Sequence, residues 1–585
     1  MEINIKNIIQ QNFDLQENEG ADKVLPLAEA VKRAVKPGMK IHMAMEANGT
    51  ANEIIRQFNK TAPGFTLIMP GVIGVLLNLV YCGLIKKIIT SNCSFLAPSI
   101  APSGILQRAY KEKSVIIEDW SLCTITQRLM AGALGLPFMP TGSIAGSTME
   151  QENIQTFKKI KDPFGSGRDT GLVKALNPDL SIIHAWAADP HGNTIISPAS
   201  PSVSWDSNLW GAKASKKVLV SVEKIVTTDF IRNHSALVKL PGHMVESVSL
   251  VPFGAHPVSF ISQGIESFSS YGDDYDFMKE HKKAVKAPEL MDKWLEKWIF
   301  KPRRQTEYLK KIGVDKIEYL EKKSEKNAWK KNQEKKLRNI SATDKVTDQE
   351  AMVIIASRTI KEQIIKNSRK VMLAGAGVAS LASWLAYYKL KKENYDVEIM
   401  SGSGILGYAP RPFDSFFASI HNIPYCKMLT DTLDIYGVIV GGANSAALSV
   451  LGAGQIDKQG NVNSTKIGGS YITGSGGSND AANAREVVIV AEQSKKRFVD
   501  KVPYITFSGN RVTTLVSSMG IYKKEKNNDE FILTEYFPDP FLSSRDEIIN
   551  KIKNNCGWEI KIAENPTQTA PPSMEELLLM RSFTV

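Results

Sequence analysis

The 585-residue sequence is poor in the features that mark disulfide-bonded and metal-binding proteins. Its five cysteines are never spaced as C-x-x-C, which argues against a disulfide framework or a zinc site and fits a reducing compartment. The eight histidines form no H-x-x-x-H or H-E-x-x-H pattern, so we predict no metal. The N-terminal segment is polar and does not resemble a signal peptide, so we expect a cytoplasmic protein.

Long uninterrupted apolar runs are also scarce. The most apolar stretch covers residues 67–84 and contains no charge, but one proline and three glycines divide it. Its length is at the lower limit for a membrane span. Because glycine and proline cut it into short pieces, we predict a buried strand and helix and no membrane association.

The net charge of +11 is unevenly distributed. Residues 321–345 carry nine Lys or Arg against four acidic residues. No zinc-finger spacing, RRM-type aromatic motif or helix-turn-helix pattern accompanies this charge, so we predict no nucleic-acid partner. The segment 321–349 is lysine-rich with few large apolar residues, and we interpret it as a solvated, partly helical linker.

The chain carries an internal repeat. The pattern D-x-x-G-N occurs at residues 189–193 and again at 457–461. Each copy is followed by a β-branched run that ends in glutamate, at Glu223 and at Glu492. The offset between the copies is 268 to 269 residues at both features, which indicates duplicated halves.

Each half alternates short apolar runs with amphipathic helical patterns. Such alternation predicts an α/β fold with parallel strands joined by crossover helices. We therefore expect two related open α/β halves with mostly parallel sheets. Ligands in such sheets bind beyond the carboxyl ends of the strands.

Long motifs then point to a family. The run at residues 454–482, GQIDKQGNVNSTKIGGSYITGSGGSNDAA, closely resembles the beta subunit of glutaconate CoA-transferase. Residues 117–140, 251–257 and 297–313 resemble the alpha subunit. The resemblance implies the fold of the family I CoA-transferases, with an alpha-like domain at 1–320, the linker at 321–349 and a beta-like domain at 350–585. It also implies an acyl-coenzyme A substrate, with no metal.

Glycine-rich loops are the candidate binding elements. Consecutive glycines let backbone N–H groups approach a ligand and bind a thioester oxyanion, and a glycine loop before a helix can accept phosphate. The resemblance places CoA in the second half and the oxyanion at the loop of residues 474–477. The candidate CoA- and oxyanion-binding residues are Gly375, Gly377, Gly441, Gly442, Gly474, Gly476, Gly477 and Asn479.

The sequence departs from the family at one position. Family I CoA-transferases use a glutamate that attacks the acyl-CoA thioester and then carries CoA as a glutamyl thioester. The family glutamate precedes x-G-[LI]-[LM], and the register of Gly404, Ile405 and Leu406 places Gly402 at that position. Glycine has no side chain to form the anhydride, so the usual nucleophile is predicted to be lost.

Three side chains remain as catalytic candidates. Glu118 ends a predicted strand within an alpha-like motif and could act as a general base; a structural carboxylate is the equal alternative. Glu46 ends the first predicted strand, where a capping role competes with a catalytic one. Ser403 is a weaker candidate, because no histidine and acid partner is evident.

Three functions stay open. The first is a divergent acyl-CoA enzyme, either a hydrolase that cleaves a C–C bond or a decarboxylase, acting on a carboxylated or β-keto acyl-CoA. The second is a true CoA-transferase that uses a displaced carboxylate, such as Glu46. The third is a non-catalytic CoA-ester binding protein. A homodimer is compatible with the sequence but does not follow from it.

Overall fold

The computed structural model describes residues 4–13, 19–95, 97, 99–165, 167, 169–196, 205–262, 265, 268–340, 343, 345–525, 528–542 and 544–584. The described chain forms two α/β halves. The connecting segment lies between a helix that ends at Lys323 and a helix that begins at Asp348, and its residues 341, 342 and 344 lie outside the described ranges.

The strands and helices of the first half follow one another in an α/β order. The strands are β1 Lys40–Met43, β2 Phe65–Ile68, β3 Gly71–Ile73, β4 Ile85–Thr90, β5 Asn92–Ser94, β6 Ile116–Asp119, β7 Phe138–Thr141, β8 Phe157–Lys161, β9 Asp169–Lys174, β10 Leu180–Ala188, β11 Thr194–Ile195, β12 Val218–Ile225, β13 Val238–Leu240 and β14 Val245–Leu250. The α-helices are α1 Ile5–Phe13, α2 Leu27–Ala34, α3 Asn48–Phe58, α4 Asn78–Tyr81, α5 Gly104–Lys111, α6 Leu122–Ala133, α7 Thr148–Glu152, α8 Trp205–Ala214, α9 Thr228–Asn233, α10 Tyr275–Ala284, α11 Pro288–Leu295, α12 Gln305–Ile312 and α13 Val314–Lys323.

The connecting segment and the second half continue the numbering. The helices are α14 Gln333–Arg338, α15 Asp348–Lys366, α16 Val378–Lys392, α17 Ser478–Ala481, α18 Arg545–Asn554 and α19 Met574–Thr584. The strands are β15 Val371–Ala374, β16 Glu398–Ser401, β17 Ile405–Leu406, β18 Met428–Leu429, β19 Ala447–Leu451, β20 Gln455–Ile456, β21 Val462–Asn463, β22 Lys466–Ile467, β23 Ser470–Tyr471, β24 Glu486–Ala491, β25 Val512–Ser517, β26 Gly520–Glu525, β27 Asn528–Tyr536 and β28 Lys561–Gln568.

Each half is built on a parallel sheet, as the alternating pattern predicts. In the first half the parallel strands run in the order β6-β4-β2-β1-β10-β12-β14. In the second half they run β16-β15-β19-β24-β25, and antiparallel strands extend the sheet at both edges. The order β2-β1-β10-β12-β14 therefore matches β16-β15-β19-β24-β25. The fold-class prediction of two related open α/β halves is confirmed.

The repeated D-x-x-G-N pattern forms the same turn twice. In the first copy, Asp189 accepts the N–H of Asn193 at 2.8 Å, and Asn193 Oδ1 accepts the N–H of Gly242 at 2.9 Å. In the second copy, Asp457 accepts the N–H of Asn461 at 3.0 Å, and Asn461 Oδ1 accepts the N–H of Gly509 at 3.0 Å. Each turn thus ties the loop after one central strand to the start of the parallel strand two positions away, β14 in the first half and β25 in the second.

The apolar stretch 67–84 is divided as its glycines indicate. It contributes the end of β2, all of β3, a 3₁₀ turn at Gly74–Leu77 and α4. Within the described chain, no helix is both long and apolar enough to cross a membrane. The connecting segment is partly helical and is packed on the second half: Trp329 donates to the Tyr425 hydroxyl at 3.1 Å.

The matched turns give a stability prediction. Asn461→Ala removes the bonds to Asp457 and to the N–H of Gly509 and leaves buried polar groups unpaired, so we expect a loss of about 1–3 kcal/mol. Asn193→Ala should cost a similar amount, because its contacts are equivalent. Denaturant unfolding of each variant measures the loss, with the exposed Asn554→Ala as control. An unchanged midpoint for both variants would show that the turns do not hold the sheets.

Candidate functional site

A cavity of about 730 Å³ lies between the two halves. The first half contributes Met45, Ile73 and Leu122, among others, to its wall. The second half contributes three glycine-containing loops, at residues 375–377, around Gly402 and at 474–477. The first two loops follow β15 and β16, and Leu451 and Gly452 at the end of β19 also line the cavity. The cavity is therefore at the carboxyl ends of central parallel strands, where the topology predicts a ligand site. The loop 474–477 follows β23, which belongs to a separate two-stranded sheet.

The described wall of this cavity carries no Asp, Glu, His, Lys, Arg or Cys side chain. Its polar side chains are amides and hydroxyls: Asn92, Ser99, Gln349, Ser415, Ser464, Thr473, Ser475, Ser478, Thr584 and the phenol Tyr436. Tyr436 is thus the one titratable side chain among the described residues that line the cavity. Burial raises its phenol pKa well above the ordinary value, so the hydroxyl stays protonated and can donate a hydrogen bond.

The Tyr436 hydroxyl is wedged between two glycine turns. A Cβ atom built on Gly402 would lie 2.0 Å from the Tyr436 oxygen, and a Cβ on Gly477 would lie equally close. Gly402 belongs to the turn between β16 and β17, which the bond from Gly404 N–H to the Ser401 carbonyl closes at 3.1 Å. The phenol therefore fills the space in which a side chain at position 402 would begin.

Tyr436 is carried by an unusual helix. Residues Leu433–Val440 form a π-helix that begins beside α8 of the first half. Such segments are rare and are frequent at functional sites. The N–H of Leu433 donates to Asp206 Oδ2 at 3.3 Å, so the first half fixes the start of the helix that positions the phenol.

The loop 474–477 is anchored by the first half. The N–H of Gly476 donates to the Ser91 carbonyl at 2.8 Å, and the Gly476 carbonyl accepts from Leu122 N–H at 3.2 Å. Gly474 and Gly476 have positive φ values of 95° and 52°, which other residues rarely adopt. The N–H groups of Ser475 and Gly477 have no acceptor among the described residues. They are the loop donors that remain for a ligand, whereas Gly476, which the sequence suggested, uses its own N–H internally.

The helix α16 begins at the cavity wall. Gly375, Gly377 and Val378 all line the cavity, and Gly377 is the residue that precedes the helix, with a φ of 67°. A Cβ on Gly375 would lie 2.4 Å from the Val450 carbonyl oxygen, so only glycine fits there. The free N–H groups of the first turn of a helix favour an anion.

Glu118, the first catalytic candidate, is bonded away from the cavity. Its carboxylate contacts Arg128 at 2.9 Å, Lys87 at 2.6 Å and the Trp120 indole N–H at 2.8 Å. Burial opposes ionisation, but Arg128 and Lys87 outweigh it and lower the Glu118 pKa below its usual value. A carboxylate that is ionised and held by two cations is a poor general base, so the geometry favours the structural alternative.

Glu46 and Ser403 also lie outside the cavity wall. Glu46 is buried and accepts from the Asn208 side chain at 3.0 Å, and α3 begins without a side-chain cap hydrogen bond. Ser403 is buried, and its hydroxyl is paired with that of Ser401. The expectation that either side chain acts on a substrate has no geometric support.

Three of the predicted binding residues take structural places. Gly441 and Gly442 end the π-helix and are absent from the cavity wall; a Cβ on Gly442 would lie 2.2 Å from the Val438 carbonyl, which explains the glycine by close packing. Asn479 joins the halves, because its Oδ1 accepts Ile144 N–H at 2.8 Å and its Nδ2 donates to the Thr506 carbonyl at 2.9 Å.

Three buried carboxylates lie where the halves meet. Burial raises the pKa of Asp119 to about 6, of Asp206 to about 7 and of Asp480 to about 6. Asp206 reaches Leu433 of the second half, and Asp480 accepts from Cys123 N–H of the first half at 3.0 Å. Because burial favours their neutral forms, these groups make the junction sensitive to pH.

Comparison with known proteins agrees with this two-part construction. Residues 24–250 match the family model described as coenzyme A transferase. The chain is 28% identical over 230 residues to the A component of glutaconate CoA-transferase from Acidaminococcus fermentans, covering 36% of this chain and 66% of that protein. It is 28% identical over 255 residues to the B component of 3-oxoadipate CoA-transferase from Pseudomonas knackmussii, covering 40% of this chain and 92% of that protein.

A solved structure agrees over nearly the full length. An acyl-CoA transferase from E. coli O157:H7, in a thioester complex with CoA, superposes with a TM-score of 0.64 at 15% identity, covering 94% of this chain and 95% of that one. The chain is similar to coenzyme A transferases in both of its halves. The parts similar to the A and B components lie in one chain, and the match spans slightly under two thirds of the A component of glutaconate CoA-transferase.

The sequence motifs did not reveal Tyr436 as a residue of the site. It lies in YGVIVGG, a run that reads as an ordinary apolar strand followed by a glycine turn. One signal was present: a glycine at a position where a side chain is expected leaves a space that some large neighbour must fill. Which neighbour fills it depends on the π-helix, and periodicity does not indicate that helix.

The contact of the Tyr436 hydroxyl with Gly402 predicts that substitutions at these two positions have coupled effects on the free energy of unfolding. Gly402→Ala should overpack the site and destabilise the protein by about 1–3 kcal/mol. In a Tyr436→Ala background the same substitution should cost almost nothing, because the obstructing phenol is gone. A double-mutant cycle on free energies of unfolding measures the difference.

The matched control is Gly437→Ala, where no heavy atom lies within 4 Å of the added Cβ. Equal costs of Gly402→Ala in both backgrounds would mean that Tyr436 does not occupy this space.

The junction carboxylates predict a pH effect. The Asp206 pKa is about 7 in the folded protein against an ordinary 3.8, so the folded state holds the proton more tightly. Its stabilising effect is complete below pH 3.8 and is lost as the pH rises through 7. Asp206→Asn should therefore gain stability relative to wild type between about pH 5 and 7.5. Unfolding at several pH values tests this, with the exposed Asp229→Asn as control; parallel curves for Asp206→Asn and wild type would refute it.

Proposed function

We propose that this protein is an acyl-CoA decarboxylase, which removes CO₂ from a carboxylated acyl-CoA without a covalent enzyme intermediate. The observation that carries the proposal is the cavity wall: it offers hydrogen-bond donors to a thioester oxygen but, among the described residues, neither a carboxylate or thiol nucleophile nor a general base. Transfer of CoA needs the first, and hydrolysis needs the second. Decarboxylation needs only a sink for electrons.

The donors converge on one place. The Tyr436 hydroxyl lies against Gly477, whose N–H has no acceptor among the described residues, and Ser475 N–H is on the same loop. A thioester oxygen bound there would receive a phenol O–H and backbone N–H groups, as in an oxyanion hole. The raised Tyr436 pKa keeps the phenol as a donor at neutral pH. The CoA moiety would extend along the loop 375–377 to the first turn of α16.

The reaction begins at the carboxyl group of the substrate. The bond between this carboxylate and its neighbouring carbon breaks, and CO₂ leaves. The electron pair of that bond moves into the thioester carbonyl, directly or through a conjugated double bond, and gives an enolate or dienolate. Tyr436 and the loop N–H groups stabilise the oxyanion, and a proton from water restores the neutral acyl-CoA.

The apolar wall favours the same step. Met45, Ile73 and Phe416 face the cavity, and none of the described lining residues carries a cation that would hold a carboxylate. An apolar wall takes away the solvation that stabilises a charged carboxylate, whereas neutral CO₂ does not depend on such solvation. The site therefore favours loss of the charge from the acyl group.

Product analysis tests the proposal. Purified protein is incubated with a panel of carboxylated acyl-CoA esters, including γ-carboxylated α,β-unsaturated ones, and the thioesters are analysed by mass spectrometry. We expect loss of one CO₂ from at least one ester, no transfer of CoA to added carboxylic acids, and no hydroxylamine-sensitive protein adduct. A glutamyl-CoA adduct, or free CoA without CO₂, would contradict decarboxylation.

A single variant tests the role of Tyr436. Tyr436→Phe removes the hydroxyl and keeps the ring, so we expect kcat to fall about 10²–10³-fold while KM changes little. The matched control is Tyr319→Phe, whose side chain is exposed on α13. A Tyr436→Phe variant with wild-type kcat would remove the phenol from the mechanism.

A further inference from the structure

A second, smaller cavity adjoins the first on the side of the alpha-like half. Its volume is about 50 Å³, which is room for about three to five water-sized groups. Met45, Ile73 and Phe416 line both cavities and form the wall between them. The small cavity is therefore placed to receive the far end of an acyl group whose thioester lies in the large one.

Most of this side cavity is apolar. Phe95, Val75, Met278 and Val258 face it, and Gly74 leaves open space beside it. Such a lining accepts hydrocarbon. The polar lining residues are Asn48 at the start of α3, Asp273 before α10, Ser259 and His281. The His281 Nε2 is paired with Asn78 Oδ1 at 2.8 Å, and Asn48 and Asp273 are almost completely buried.

Each of these two side chains has one oxygen without a partner among the described residues. Asn48 Nδ2 donates to the Ala255 carbonyl at 2.8 Å, which fixes the amide and leaves Oδ1 unpaired. Asp273 Oδ1 accepts Ser259 N–H at 2.9 Å, which leaves Oδ2 unpaired. The nearby Lys323 donates to the Asp273 backbone carbonyl, at 2.7 Å.

Buried polar atoms without partners are costly. Asn48 Oδ1 is an acceptor, and Asp273 Oδ2 is one when its carboxyl is ionised; burial raises the Asp273 pKa, and the Lys323 charge opposes that rise. A ligand atom that fits here is a hydrogen-bond donor. A second carboxylate would meet Asp273 and Asn48 with acceptor against acceptor. A methyl group would leave both oxygens unpaired.

We infer that the side cavity is a specificity pocket for an acyl group that ends in a hydrogen-bond donor, a hydroxyl or an ammonium, received by Asn48 Oδ1 and Asp273 Oδ2. This assignment rests on the proposed function in one respect, namely that an acyl-CoA occupies the large cavity. It extends that function by naming the class of acyl group: the substrate carries the carboxylate that is lost in the large cavity and a hydrogen-bond donor at its far end in the side cavity.

Binding of unreactive esters tests the pocket separately from the reaction. The probes are short saturated acyl-CoA esters of equal chain length that end in methyl, hydroxyl, ammonium or carboxylate. Calorimetry on the wild-type protein should show hydroxyl- or ammonium-ended esters binding at least tenfold more tightly than the methyl-ended ester, and the carboxylate-ended ester binding most weakly. Whichever donor binds better identifies the terminus. Equal affinity for all four esters would overturn the inference.

Asp273→Asn gives the second arm. It keeps the side-chain shape and the contact to Ser259 but replaces the unpaired acceptor with a donor. The preference for donor-ended esters should fall about tenfold, and the carboxylate-ended ester should gain affinity. Asp276→Asn, on the exposed face of α10, is the matched control.

If Asp273→Asn does not fold, the wild-type panel still decides. A donor preference without any decarboxylation would leave the pocket standing and remove the proposed reaction. Decarboxylation without a preference for donor-ended esters would support the proposed reaction and overturn the assignment of the pocket.

Discussion

The contact of the Tyr436 hydroxyl with Gly402 and Gly477 is the constraint on which the site depends. Both glycines are required, since a Cβ on either would lie 2.0 Å from the phenol oxygen. The same contact places a protonated donor beside the unpaired N–H of Gly477. The Tyr436 hydroxyl thus fills the space of a side chain at position 402 and can donate a hydrogen bond to a thioester oxygen. In this protein, packing and chemistry at the site are the same interaction.

This contact holds only because the two halves are locked together. The loop 474–477 is fixed by Ser91 and Leu122 of the first half, and the helix of Tyr436 is started by Asp206 of the first half. The halves in turn repeat one plan, with the same order of five parallel strands and the same D-x-x-G-N turn. Fusion in one chain keeps both halves present together. The buried carboxylates at the junction make the packing of the halves against each other depend on pH.

Much of the fold follows from the sequence. The internal offset and the alternating pattern predict two α/β halves, and the motifs around Gly476 indicate the resemblance to CoA-transferases. The glycine loops that line the cavity could be named in advance because glycine spacing is local information. Partners of side chains are not local: for Glu118 a catalytic and a structural role stayed equal alternatives until Arg128 and Lys87 were seen beside it. Tyr436 and Asp273 were missed for the same reason, since their environments are assembled from distant segments.

The central claim is that a thioester is bound by Tyr436 and the loop N–H groups with no covalent bond to the protein. A crystal structure with an unreactive acyl-CoA analogue tests it most directly. The account predicts the thioester oxygen at about 2.7–3.1 Å from the Tyr436 oxygen and from the Gly477 nitrogen. Continuous density from the acyl carbon to a protein carboxylate, or a thioester remote from Tyr436, would contradict it.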